Sequence, residues 1–105
     1  MLKISESAAN HIQEQIKQAN ADNLSLRIAA KTNQDGSFEY GMGFDEVKDD
    51  DLVSNQYGVE LVFDKQSHEL LEDATMDYVQ LDDGQMGFVF LNPLDPNYIP
   101  PKRKK

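Results

Sequence analysis

Apolar residues recur at helical spacing near the start of the chain. Ala8, Ala9, Ile12 and Ile16 fall on one stripe, polar residues fill the gaps, and Ser5 stands ahead of them as a good N-cap. The pattern predicts a helix over residues 5–19, broken by the polar run 20–23. The period then changes to two. Leu24, Leu26 and Ile28 alternate with Ser25, Arg27 and Ala29, which reads as a half-buried strand over 24–30. Phe38, Tyr40, Met42 and Phe44 alternate with Glu39, Gly41 and Gly43, giving a second strand over 38–44. The turn-rich segment 32–37 joins the two as a hairpin. Glycines inside a strand predict a bulge or a close backbone approach.

Residues 45–51 are acidic. Leu52 and Val53 begin a short strand, 55–58 forms a turn, and Val59, Leu61, Val62 and Phe63 form an apolar run. Asp64 is placed to cap a short helix reaching Leu71. A strand over 75–81, a turn at Asp83 and Gly84, and a last strand over 88–91 follow. Pro93, Pro96, Pro100 and Pro101 make the remainder irregular or extended. The expected fold is mainly β with peripheral helices (α+β), a small compact β-sandwich with mostly antiparallel strands. The expected organisation is one domain over 1–93, then a proline-rich, basic, flexible tail over 94–105.

Charge narrows the choice of partners. The formal net charge is -9, and a field of that sign repels nucleic-acid phosphates and anionic membranes. Lys102, Arg103, Lys104 and Lys105 are the local exception and read as a solubilising tail. There is no cysteine, which removes disulfides, thiolate nucleophiles, thiolate zinc sites and cysteine-held iron–sulfur clusters. No apolar run reaches membrane-spanning length, and the N-terminus turns polar after four residues. A cytoplasmic protein without membrane contact is expected.

Reactive constellations are sparse. Asp45, Glu46, Asp49, Asp50 and Asp51 lack the ligand spacing of a calcium loop and read as a solvated turn. His11 reads as a surface helix residue and His68 as a partly packed one, neither beside a second histidine. No serine stands in a nucleophile elbow. Gly41 and Gly43 lie within a strand pattern, where the ladder already uses the amides that a phosphate loop needs. Tyr40, Tyr57, Tyr78 and Tyr98 could ligate ferric iron, but packing is the commoner use of such residues. Nothing in the residues supports an enzyme.

Taken together, "ISESAANHIQEQI", "LSLRIAAKT", "FDEVKDDDLV", "GVELVFDKQSHELLEDATMDYV" and "GFVFLNP" give the chain a resemblance. It resembles the A-type iron–sulfur carrier proteins, the HesB/IscA-like family, over nearly its whole length. The resemblance implies a compact strand-rich domain with helices at its edge. It also implies three cysteine positions, one in the loop after "KT" and two in a Cys-Gly-Cys after "NP". Those positions fall here at Asp35, Ile99 and Pro101, and none supplies a thiolate. The loop "NQDGSFEYGMGFD" and the tail "FLNPLDPNYIPP" resemble those of a cysteine-free branch, the DsrR-like proteins of sulfur-oxidising bacteria. That likeness implies a non-catalytic accessory or regulatory protein in sulfur oxidation or iron–sulfur protein biogenesis, without a cofactor. The expected partner is a protein, RNA being disfavoured by the net charge, and the expected state is a monomer or weak dimer. The expected contact surface comprises Asp35, Phe38, Tyr40, Asn92, Pro93 and Tyr98. The alternative is a binding or donor protein for iron or another hard metal, with carboxylate and tyrosine ligands.

Overall fold

In the computed structural model the amphipathic stripe folds as α1 (Glu6–Ala19). Ser5 Oγ accepts from the Ala8 amide at 3.0 Å, as an N-cap should. Asn20 closes the helix in the left-handed conformation, φ 52°, which asparagine tolerates better than most residues. The helix buries Ala8, Ala9 and Ile12. The structure describes residues 1–96; Asn97 onward, and with it most of the expected tail, lies outside.

Among the described residues, seven strands form two sheets. A four-stranded sheet has the order β3-β2-β5-β4, built from β2 (Ser25–Thr32), β3 (Phe38–Asp45), β4 (Leu52–Gln56) and β5 (Val59–Phe63). A three-stranded sheet has the order β1-β6-β7, built from β1 (Lys3–Ile4), β6 (Thr75–Gln80) and β7 (Met86–Leu91). The chain neighbours β2/β3, β4/β5 and β6/β7 pair antiparallel. The long-range pairs β1/β6 and β2/β5 are parallel, so the sheets are mixed, and β1 is a strand that the sequence pattern does not announce.

The sheets and α1 share one core. Leu26, Ile28, Leu61, Phe63, Ile4 and Met76 are all buried in it, each contributing about 1.5–3 kcal/mol of burial. α2 (Lys65–Leu71) continues from β5, with Asp64 as its N-cap. Where β5 ends, the Ser67 hydroxyl takes over as partner of β2: it accepts from the Ala30 amide at 3.0 Å and meets the Ala30 carbonyl at 3.4 Å. A helix side chain thus replaces a rung of the ladder, and α2 is fixed against β2.

Two local expectations are corrected. The β2/β3 register runs unbroken from Ser25↔Asp45 to Thr32↔Phe38, and a Cβ at Gly41 or Gly43 would meet nothing within 4 Å. The strand glycines therefore mark neither a bulge nor a close approach. The acidic run is also not merely a solvated turn. Arg27 Nε donates to Asp45 Oδ2 at 2.7 Å, and its two Nη atoms donate to the Asp51 carboxylate at 3.0 and 2.5 Å. The Lys48 amide adds a bond to Asp51 at 2.7 Å, and that side chain is 6 % exposed. This bidentate clamp closes the β3–β4 connection onto the outer face of β2.

The clamp carries a pH signature. The Arg27 guanidinium, and after it the Lys48 amide, hold the Asp51 carboxyl at about 2, below its ordinary 3.8. Arg27 also lowers Asp45. A carboxyl depressed in the folded state binds its proton more tightly when unfolded, so its stabilisation is present above the ordinary value and lost as pH falls. Thermal unfolding midpoints should fall between about pH 4 and pH 2. In Arg27→Gln that acid limb should flatten; an unchanged limb would show that the clamp contributes nothing.

Candidate partner-contact site

β3 and the segment after β7 meet at Tyr40. The Tyr40 side chain is on the inner face of its strand, across from Ala30. Its ring stacks on Phe90 of β7, with centroids 4.5 Å apart and planes 3° apart. Phe38, two residues back on the same face, meets Tyr40 edge-on at 6.3 Å. The Tyr40 hydroxyl donates to Asp95 Oδ2 at 2.7 Å. Burial first, and the Asp95 carboxylate second, push the Tyr40 phenol well above its ordinary 10.

Asn92 makes that meeting possible. It is 0 % exposed, and each part of its amide is used. Nδ2 donates to the Leu70 carbonyl on α2 at 2.8 Å, and Oδ1 accepts from the Leu94 amide at 3.1 Å. Its own carbonyl accepts from the Asp95 amide at 3.0 Å. The side chain thus ties the chain to α2 while the backbone turns, which carries Asp95 to Tyr40. Pro93 is exposed at that turn. An open groove of about 390 Å³ runs beside Tyr40 toward the start of α2, bordered by Lys31, Glu39 and Asp64.

Asp35 stands apart in the β2–β3 turn. It is exposed, and its Oδ1 accepts from the Ser37 amide at 2.9 Å and the Ser37 hydroxyl at 2.6 Å. Those Ser37 bonds, the hydroxyl's first, lower its pKa. Gly36 takes φ 87° between them, a conformation that glycine adopts without strain. Asp35 is therefore part of the turn's own construction.

The structure brings Phe38, Tyr40 and Asn92 into one assembly, with Pro93 at its rim. It holds Asp35 by local bonds, and Tyr98, Ile99 and Pro101 lie outside the described residues. Sequence reasoning missed Asp95 and Phe90. The signal for Asp95 was the Asn-Pro turn, which reverses the chain, but its tie to Tyr40 spans 55 positions. His11 also departs from the surface reading: its ring stacks on Tyr78 at 4.0 Å and 11°, with Phe88 at 5.5 Å. It is a half-buried joint between α1 and the three-stranded sheet. His68 is half-buried on α2 near Phe63, in keeping with a partly packed residue.

The donor set does not fit an iron–sulfur cluster. Clusters take thiolates, with histidine replacing some of them in particular centres. The chain has no cysteine, and Asp35, where the resemblance would place a loop ligand, already accepts two hydrogen bonds. Among the described residues no three acidic or histidine side chains converge as a metal site. Tyr40 would have to lose a proton that burial and Asp95 both retain. Among those residues, too, no helix is long and apolar enough to cross a membrane.

The sequence matches the profile of the family described as iron-sulphur cluster biosynthesis over residues 1–98. It is 35 % identical over 99 residues to the iron-sulfur cluster insertion protein ErpA of Legionella pneumophila strain Paris, covering 88 % of this chain and 75 % of that protein. It is 35 % identical over 91 residues to the uncharacterized protein SufA of Bacillus subtilis strain 168, covering 86 % and 75 %. The fold is similar to the crystal structure of Escherichia coli SufA, with a TM-score of 0.77 at 24 % identity, covering 94 % of this chain and 86 % of that one.

Proposed function

The chain belongs to the iron-sulphur cluster biosynthesis family, and from that premise we propose that it is a cluster-free accessory or regulatory protein of that family, acting by contact with a protein partner. One observation carries the reading: a family member lacks every cysteine, and the residue at the loop ligand position, Asp35, is committed to its own turn. The scaffold is kept and the donors are not. The name of the ErpA relative concerns cluster insertion, which directs the proposed partner toward iron–sulfur proteins. The likeness to the DsrR-like branch supports bacterial sulfur oxidation, in the cytoplasm, as the setting, beside iron–sulfur protein biogenesis. The contact surface is the Tyr40–Asp95 junction, with Phe38 and Pro93 at its margin. No catalytic step is assigned to it.

Anaerobic reconstitution with iron and sulfide tests the first half of the proposal. Absorption should show no thiolate-to-iron charge-transfer bands, and desalted protein should retain neither iron nor sulfide in stoichiometric amount. Stable bands would overturn the reading. Stoichiometric iron without sulfide would instead establish the oxygen-ligand alternative.

A further inference from the structure

We propose that β3 is a strand-addition site for an extended, cationic segment of a protein partner. The inference rests on the reading of the chain as a protein-contact module and extends its surface: Phe38 and Tyr40 of the junction lie on β3, and the free edge of that strand runs on past them to Asp45. β3 is eight residues long and closes one side of its sheet. Among the described residues, no backbone hydrogen bond from another segment reaches its free edge. Soluble proteins usually blunt such an edge with lysine, proline, a bulge or a short strand. β3 has none of these: it contains no lysine or proline, its register is unbroken, and Gly41, Met42 and Gly43 are exposed in its middle.

A seat for side chains lies next to that edge. α1 and the inner face of β3 enclose an open groove of about 460 Å³. Ile12, Leu26, Met42 and Phe44 give it an apolar floor, and Gln15 and Gln18 give it an amide rim. Met42 is 40 % exposed there. A strand added to β3 would place every second side chain toward this groove, while its backbone completes the ladder.

Charge identifies the occupant. Residues 1–96 hold all nineteen acidic residues and only six basic ones. Asp35 and Glu39 mark one end of β3, Asp45 and Glu46 the other. Lys31 pairs with Glu39 at 3.1 Å, and Lys48 and Arg27 pair with Asp45 at 3.3 and 2.7 Å, so Asp35 at one end, Glu46 at the other and the excess of acids over bases set the sign of the field. A second copy paired antiparallel on β3 would bring acid against acid at both ends. A segment with alternating apolar residues and a basic residue at each end meets the edge, the groove and the field together.

The probe is a nine-residue peptide in which valine alternates with threonine between two basic residues at either end. Fluorescence anisotropy measures its affinity, and amide chemical shifts of the protein map its seat. Binding should weaken with salt, shift β3 and the facing side of α1, and vanish for the same peptide with acidic ends. Met42→Lys should weaken it at least tenfold. Val53→Lys makes the same charge change at a residue 41 % exposed on the opposite edge strand, β4, and should leave affinity within twofold. Equal loss in both variants, shifts elsewhere, no binding, or a concentration-dependent dimer through β3 would each overturn the proposal. If the peptide fails while reconstitution still yields no cluster, this inference falls and the accessory reading stands.

Discussion

Phe63→Ala should cost about 3–5 kcal/mol, because it empties a large, fully buried position. Small domains hold only about 5–15 kcal/mol in total, so the variant should unfold well below the parent's denaturant midpoint. The position matters as much as the volume. Phe63 ends β5, and the next residue, Asp64, caps α2. Ser67 of that helix supplies the hydroxyl that pairs with Ala30, and Ala30 lies across the sheet from Tyr40. A cavity at Phe63 therefore loosens the joint that holds α2 to β2, and the damage should extend toward the Tyr40 junction. Hydrogen exchange should show Ala30 and α2 opening before β6 and β7. Phe63→Leu keeps most of the volume and should cost less than about 1.5 kcal/mol. A loss below about 1 kcal/mol in the alanine variant would show that the core can collapse around the gap.

The legible and illegible parts of this fold divide by sequence separation. α1 was readable because its cap, stripe and stop lie within sixteen residues. The hairpins were readable because strand alternation and turn residues are local; the β2–β3 turn is closed by Asp35, Gly36 and Ser37 side by side. The parallel pairs were not readable. β1 is two residues long, too short for any period, and its pairing with β6 joins residues about seventy positions apart. The Arg27 clamp was hidden for a related reason. An acidic run reads the same whether it faces water or a guanidinium, and only the return of the chain over β2 decides which. Tyr40 and Asn92 could be singled out from the loop and tail, where likeness to known proteins pointed. Their shared dependence on Asp95 and Phe90 appears only when β3 and β7 face one another.

Asn92→Ala should cost about 2–4 kcal/mol, since it leaves the Leu70 carbonyl and the Leu94 amide without their partner, at about 1–3 kcal/mol for each such group. It should also uncouple the site. Without the amide the turn no longer delivers Asp95 to Tyr40, and the phenol loses both the burial and the carboxylate that raise its pKa. The Asn92 side chain itself pulls that pKa the other way, but as a smaller influence than either. Alkaline titration of phenolate absorbance should therefore show one tyrosine moving back toward the ordinary 10, and Tyr40→Phe should remove that same late step from the parent curve. In the parent, a phenol raised on folding contributes stability below pH 10 that is lost as pH climbs above it; Tyr40→Phe should lose this alkaline slope. Asn92→Asp separates charge from shape. It can still accept from the Leu94 amide, yet it sets an anion against the Leu70 carbonyl in a site closed to water. Its folded pKa is then raised, so its penalty should be largest at neutral pH and shrink under mild acid. If Asn92→Ala unfolds no earlier than the parent and leaves the phenol titration unmoved, the junction is only a crossing of two segments. If both change together, Asn92 is what holds the proposed contact surface in register with the helix behind it.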